Sequence, residues 1–452
     1  MSESELQARA GLDTPLPPDA FSPPLPAALR PGGIGLRLRA MLYMLGGLRV
    51  GSLDVTLPNG ETRHLRGREP GPHGVLQVRS AALVAQVLRG GEVGFGEAYM
   101  AGHWDSPDLT ALLMVLYRNE PHYRGPYEKN PLGRLSGWLG HRLRANTRRQ
   151  ARANIAHHYD LGNDFYRLWL DETMAYSSAL FPRREGSATR AADENDDGST
   201  LARAQRAKFR AMAERLQLQP EHHLLEIGSG WGGFAIHAAQ QYGCRVTSIT
   251  LSAEQLADAQ ARAAAAGVAG RVRFELRDYR DLRETYDRVV SIEMYEAVGE
   301  AWWPAYFAAI HRALKPGGIA ALQGITISPT IFEAYRRKRD FIQKYIFPGG
   351  MLCPPGRFQD LALGAGLKPE DARFFGLDYA DTLAFWHRNV LAQREAIAAR
   401  FDERFLRLWR YYLAYCECGF RVGSIDLMQI TLRRDQAMVR VYDARTGRRR
   451  RG

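Results

Sequence analysis

Glu226, Gly228, Gly230 and Gly232 fall within one run, Leu224-Leu225-Glu226-Ile227-Gly228-Ser229-Gly230-Trp231-Gly232-Gly233-Phe234. Apolar residues lead into an acid, glycines follow two apart, and a helical pattern begins at Phe234. That order is a strand, a tight turn and a helix N-terminus. Without Cβ atoms the turn lets a ligand approach the backbone. Such a crevice at the carboxyl end of a parallel strand is where α/β sheets hold nucleotides. A dinucleotide would call for an acid at the end of the second strand, but Thr250-Leu251-Ser252 stands there, with Gln255 one helical turn on. No G-x-x-x-x-G-K-[ST] run is present, which excludes a P-loop. Glu226, the glycines, and Asp278-Tyr279 after the third strand suit S-adenosylmethionine. Glu226 and nearby backbone would hold its aminoacyl end, the glycines would pass beneath its ribose, and Asp278 would face its adenine.

The elements that position these residues alternate. Helix Ala202–Leu216 precedes strand His223–Ile227, helix Phe234–Tyr242, strand Arg245–Thr250, helix Ala253–Ala266 and strand Val272–Leu276. Strand Arg288–Ile292, helix Tyr306–Leu314, a turn at Lys315-Pro316-Gly317-Gly318 and strand Ile319–Ile325 follow. This pattern predicts an α/β fold: a doubly wound, Rossmann-like domain over residues 154–440. The aromatic-rich segment 330–415 would cap the sheet's ligand edge. Residues 1–35 read as a proline-rich arm and 36–120 as a small α/β domain. In the latter, Leu48–Leu57 and Thr62–Leu65 form a hairpin around Pro58-Asn59-Gly60. Residues 121–153 are a basic linker, Glu185–Ser199 an acidic loop, and 441–452 a basic tail.

The net charge of +12 points to an anionic partner. Four cysteines are too few for a disulfide framework and imply a reducing compartment. No apolar run is long enough to span a bilayer, and the polar start is unlike a signal peptide. A cytoplasmic protein with peripheral contact at the inner membrane face is expected. Arg336, Arg337, Lys338, Arg339 and Lys344 beside Phe341, Ile342, Tyr345, Ile346 and Phe347 would give one helix a basic border and an apolar face suited to anionic lipid. His157 and His158 have no second ligand pair at metal-binding spacing, so no metal is expected and they read as structural or lid residues.

Further segments carry a resemblance. They are His157–Tyr166, Met174-Ala175-Tyr176-Ser177-Ser178-Ala179, Glu226–Phe234, Thr250–Gln255, Asp278-Tyr279-Arg280-Asp281, Tyr286–Ile292 and Tyr411–Cys416. In these the chain, over roughly Leu36 to Arg433, resembles the cyclopropane fatty acid synthases and their mycolic acid relatives, which are class I methyltransferases. The resemblance implies methyl transfer from S-adenosylmethionine to a cis double bond in an unsaturated phospholipid acyl chain. It implies that Tyr176, Ser177, Gly228, Gly230, Thr250, Leu251, Gln255, Tyr279 and Arg280 line the cofactor. Glu296 matches the family's active-site carboxylate, Tyr379 an active-site tyrosine, and Cys416 a cysteine marked as catalytic in some members. A bicarbonate ion lies between such groups in the family, and a homodimer through the N-terminal domain is also implied. Three positions depart from the pattern: Ser178 replaces a cysteine, Ala297 follows the glutamate where histidine is usual, and Gln323 stands in a histidine's place. The methyl-transfer apparatus is intact, and the bicarbonate cradle is altered.

The chemistry explains these residue types. An isolated alkene is a weak nucleophile, so the sulfonium methyl must lie against its π face with water excluded. Aromatic faces stabilise the resulting cation without reacting with it; Phe341, Tyr345, Phe347, Phe374, Phe375, Tyr379, Phe385 and Trp386 are candidates. Proton loss from the new methyl closes a cyclopropane, and loss from a neighbouring carbon leaves a branched chain. Glu296 would be the base or the anchor of a bound anion. Two other classes compete: a nucleic-acid methyltransferase, disfavoured by the lack of an Asn/Asp-Pro-Pro-aromatic run, and a non-catalytic lipid-binding protein, disfavoured by the complete cofactor loop.

Overall fold

The computed structural model describes residues 35–123, 161–182 and 199–435. The proline-rich arm, most of the basic linker with His157 and His158, nearly all of the acidic loop and the basic tail lie outside the described residues. The first part of the chain forms helix α1 (Leu36–Leu45), strands β1 (Val50–Thr56), β2 (Thr62–Arg66) and β3 (Glu69–Val78), helix α2 (Ala82–Met100), strand β4 (Trp104–Asp105) and helix α3 (Leu109–Tyr123). The hairpin forms as the Pro58-Asn59-Gly60 turn predicts: Gly60 adopts φ +88° and Thr56 pairs with Thr62. Alternation on β1 and β3 sends Leu53, Val55, Leu76 and Val78 to one face. Helix α3 covers that face with Leu112 and Val115. Asn119 of α3 accepts the backbone N–H groups of Arg49 and Val50 at 2.8 and 3.0 Å.

The larger sheet has seven strands in the order β10-β11-β9-β8-β5-β6-β7. Its strands are β5 (His223–Ile227), β6 (Arg245–Thr250), β7 (Val272–Leu276), β8 (Tyr286–Ile292), β9 (Leu314–Ile327), β10 (Leu367–Phe374) and β11 (Ile425–Arg434). The five from β7 to β9 are parallel, while β11 enters antiparallel between β9 and β10. The helices are α4 (Asn163–Arg167), α5 (Ser199–Arg215), α6 (Gly233–Tyr242), α7 (Ala253–Ala265), α8 (Trp303–Ala313), α9 (Pro329–Tyr335), α10 (Phe341–Tyr345), α11 (Pro355–Gly364), α12 (Gly376–Ala392), α13 (Arg394–Arg400) and α14 (Glu403–Arg421). Strand order reverses at β5, with β6 on one side and β8 on the other. The carboxyl ends of β5, β6 and β8 therefore face one crevice.

Three sequence expectations are corrected. The turn at Lys315–Gly318 is a bulge within β9: Leu314 pairs with Tyr286 and Ile319 with Arg288, and the four residues between them loop out. Strands β10 and β11 escape the alternation reading. Leu427–Leu432 is a continuous buried run, and β10 is a polar edge strand that tolerates Pro369. The basic amphipathic helix does not form as one element. Arg336–Asp340 breaks it into α9 and α10, because Asp340 caps α10 through Gln343 N–H at 2.7 Å. Its apolar side is core: Phe341 and Ile346 are buried, Phe341 packing on Tyr411. Lys344 pairs with Glu97, and Arg336 with Glu300 at 2.7 Å.

The two sheets meet along α14. The buried Arg407 guanidinium donates to the carbonyls of Tyr99 (2.6 Å) and Trp104 (2.8 Å) and to Asp105 Oδ2 (3.0 Å). Three turns on, Glu417 accepts the Thr110 hydroxyl at 2.9 Å. Apolar side chains of the small sheet, α12 and α14 join one continuous core. No helix among the described residues is long and apolar enough to cross a membrane.

Candidate active site

The glycine turn has the predicted geometry. Gly228, Gly230 and Gly232 adopt φ +96°, +48° and +82°, where L side chains are strained. A Cβ on Gly230 would meet open space, whereas one on Gly232 would lie 2.9 Å from the Phe274 ring. Gly230 thus leaves room for a ligand, and Gly232 lets α6 pack closely against its neighbours. The Gly228 and Ser229 N–H groups both bond Ile249 O at 3.0 Å, tying the turn to β6. The open cradle and the acid beside it fit an adenosine ligand with a cationic tail.

Glu226, at the end of β5, is buried, and its Oε2 accepts the Ser248 hydroxyl at 2.5 Å. Burial pushes its carboxyl up to about 8, against the pull of Ser248 and Lys208. Thr250 donates to Gln255 Oε1 at 3.0 Å, and Ser252 caps α7 through Gln255 N–H. Leu251, half-exposed, follows Thr250 at the end of β6. Asp278 holds Arg280 through its backbone N–H (2.9 Å), Nε (2.9 Å) and a terminal nitrogen (2.6 Å). The Arg280 guanidinium also lies over the Trp302 and Tyr279 rings. Glu226, Thr250, Leu251, Gln255 and Asp278–Arg280 lie at or a few residues beyond the carboxyl ends of β5, β6 and β7.

Beside that edge stands an aromatic wall. The Tyr176 ring lies 5.4 Å from Trp169, 5.4 Å from Trp386 and 5.6 Å from Tyr166, centroid to centroid. Its hydroxyl meets that of Tyr412 on α14 at 2.7 Å. Tyr379 stacks on Phe420 and lies edge-on to Trp386. Of the other aromatic candidates, Phe347 approaches Tyr176 at 6.5 Å. Phe341 and Phe385 pack elsewhere, and Phe374 is exposed on the edge strand.

Two acids follow β8. Glu296 Oε1 accepts the Ile325 N–H at 2.6 Å, while its Oε2 is buried without a hydrogen-bond partner. Burial and the nearby Glu293 charge push Glu296 up to about 8. The sequence motifs give Glu293 no role. Its Oε1 accepts Ser178 N–H at 2.9 Å and the Gln323 amide at 2.7 Å. The Tyr379 hydroxyl faces the same carboxylate and favours its charged form. The buried Gln323 in turn accepts from Gln429 at 2.8 Å. Burial raises the Glu293 carboxyl, opposed first by the Lys208 charge and then by its three donors.

Lys208 belongs to no sequence motif. It is fully buried on α5, donates to Ser177 Oγ at 2.5 Å, and lies in the field of Glu293, Asp171 and Glu226. Burial lowers it to about 8. Its signal was present: Leu201, Gln205, Lys208 and Met212 keep helical spacing on one buried stripe. A lysine in a core register calls for acidic partners.

Cys416 is half-buried on α14. Burial and the Asp340 charge push its thiol far up, so the thiolate needed for nucleophilic attack is suppressed. All four cysteines are free, and the described residues hold no cluster of metal-ligating side chains.

Residues 146–430 match the family model described as mycolic acid cyclopropane synthetase. The chain belongs to this family. It is 43% identical over 366 residues to tuberculostearic acid methyltransferase UfaA1 of Mycobacterium tuberculosis, covering 79% of this chain and 82% of that one. It is 34% identical to the cyclopropane-fatty-acyl-phospholipid synthase of Escherichia coli strain K12, covering 79% and 87%. Among solved structures, mycolic acid cyclopropane synthase CmaA1 complexed with SAH and CTAB aligns with a TM-score of 0.57 at 33% identity, over 62% of this chain and 98% of that one. The cyclopropane synthase MmaA2 from Mycobacterium tuberculosis aligns at 0.56 and 30%, with the same coverage. The seven-stranded sheet is thus a class I methyltransferase sheet, and the chain is an S-adenosylmethionine-dependent C-methyltransferase of this lipid-modifying family.

Proposed function

We propose that this enzyme transfers the methyl group of S-adenosylmethionine to the double bond of an unsaturated acyl chain in a membrane phospholipid, giving a cyclopropane or a methyl-branched chain. The observation that carries the reading is the adjacency of three things: the glycine crevice, the Tyr176–Tyr412–Trp386 wall, and the acids after β8. The cofactor supplies an activated methyl on sulfur. Gly228, Gly230, Thr250 and Gln255 would hold its nucleoside part, Glu226 with Tyr176 and Ser177 its aminoacyl end, and Tyr279 with Arg280 its adenine. Asp278 acts there through Arg280, which takes up its carboxylate. The aromatic wall excludes water and faces the developing cation with π electrons. An acid then removes a proton, and the carbon that loses it decides between ring and branch.

Peripheral work at the inner membrane face, on a surface rich in anionic lipid, agrees with the net charge of +12. Homodimers would present two such sites to one surface.

The test is mass spectrometry of total fatty acids from cells expressing the protein and fed methyl-deuterated methionine. Two deuterons kept in the added carbon mean that the proton left the transferred methyl, as in ring or methylene formation. Three mean that it left the chain, so the product is branched. Label absent from lipid would overturn the proposal.

A further inference from the structure

The bicarbonate ion implied by the resemblance does not fit the residues present. The Ser178 N–H and the Gln323 amide, which stand where such an anion would find its donors, bond instead to the Glu293 carboxylate, and the Tyr379 hydroxyl faces it. A second anion would have to displace these bonds and lie against a like charge.

The arrangement is built rather than incidental. Glu293 adopts φ +51°, a left-handed conformation that is strained for a non-glycine residue. It is held there by its own N–H bond to Gln323 O at 2.8 Å. The Gln323 side chain is fixed in turn, because its oxygen accepts from Gln429 and only its NH2 can face Glu293. The lysine on α5 balances the charge. Glu296 differs: its Oε1 accepts Ile325 N–H and its Oε2 has no hydrogen-bond partner. Burial with the Glu293 charge pushes it up to about 8, so near neutral pH it keeps its own proton, whereas Lys208 and the donors around Glu293 favour the charged carboxylate there.

We propose that the Glu293 carboxylate is itself the proton acceptor of the reaction, a base carried in the chain where relatives of this fold would recruit a free anion. This rests on the lipid-methylation reading. The alkene π pair forms the new C–CH3 bond as the S–CH3 pair returns to sulfur, leaving the positive charge on the other alkene carbon. A Glu293 oxygen takes a proton either from a chain carbon next to that charge, whose released C–H pair closes a C=C bond, or from the new methyl, one carbon further away, whose released C–H pair closes the third bond of a ring. Glu293 ends protonated and returns its proton to solvent.

The test uses purified full-length protein with SAH, and the variants Glu293→Gln and Glu293→Gly. Glycine accepts the local φ without strain, so the Gly variant keeps the backbone while opening the cradle. Unchanged SAH affinity reports folding. In 13C-bicarbonate NMR the wild type should bind no anion and Glu293→Gly should bind it, a readout that needs no lipid turnover. In carbonate-free buffer, wild-type methylation should not respond to added bicarbonate. Glu293→Gln should fall at least about 100-fold, and bicarbonate should restore part of the activity of Glu293→Gly. Bicarbonate bound by the wild type, or Glu293→Gln near full activity, would overturn the inference. A wild type that methylates no lipid would instead overturn the functional reading, and the anion-binding contrast would still decide the role of the Glu293 cradle.

Discussion

The Gln323 side chain lies between two partners of opposite kind, donating to Glu293 at 2.7 Å while accepting from Gln429 at 2.8 Å. Arg215 ends the series, reaching Gln429 Oε1 at 3.4 Å. A cation thus orients two amides in succession towards one carboxylate. Gln429 does not touch Glu293, yet its removal frees the Gln323 amide to turn. Gln429→Leu should lower kcat about tenfold while leaving SAH affinity unchanged. Steady-state kinetics beside calorimetric SAH binding check this; a loss confined to affinity would assign Gln429 to cofactor binding.

Lys208 is the cation enclosed by Glu293, Asp171 and Glu226. Lys208→Met keeps the volume and removes the charge, so the acids around it must protonate or separate. SAH binding should weaken at least about tenfold, and calorimetry reads it. Unaltered binding would mean that the Lys208 charge does not reach the crevice.

Gly324 lies in β9, where a Cβ would come 2.4 Å from the Tyr295 ring. Tyr295 donates to Ile325 O at 2.7 Å and adjoins Glu296. Gly324→Ala should cost about 1–3 kcal/mol in denaturant unfolding by overpacking. Its activity should fall further than its stability, because the displaced ring pushes on the acid pair.

His387 is buried beside Arg410, and burial first, then that charge, lowers it to about 3 from 6.5. Its folded value lies below the unfolded one, so the unfolded chain binds more protons between these limits. The stability it contributes is complete above about pH 6.5 and declines as pH falls towards 3, by on the order of 1 kcal/mol per pH unit. Urea midpoints between pH 5 and 7 should fall on acidification, and His387→Phe should flatten the slope.

The legible and the illegible divide for physical reasons. β5, β6 and β7 have the bounds the sequence predicts, because Gly228–Gly232, Ser252 and Asp278 are local signals at strand ends. Thr250 and Asp278 stand at strand ends that the sequence marks, and short turns place Gln255, Tyr279 and Arg280 beside them by chain distance alone. β10 and β11 were not, since one lacks alternation and the other a mostly buried face. Glu293 was hidden for another reason: its partners Ser178, Gln323 and Tyr379 are far apart in sequence, and only the sheet register, with Ile292 opposite Gln323, brings two of them together. The departures at Ser178 and Gln323 were visible as losses. The acid that compensates them stood three residues before Glu296, in plain view but without a periodic pattern to mark it.

Helix α14 grips the N-terminal body through Arg407, on Trp104 and Asp105 of β4, and through Glu417, on Thr110 of α3, and between them carries Tyr412 to the hydroxyl of Tyr176. A helix transmits displacement along its axis with little loss, so it works here as a shaft with one bearing in each body. Rocking of the small sheet would be delivered to the aromatic wall as a shift of Tyr412, and the wall cannot swing outward on that side without either unseating Arg407 or carrying four strands with it.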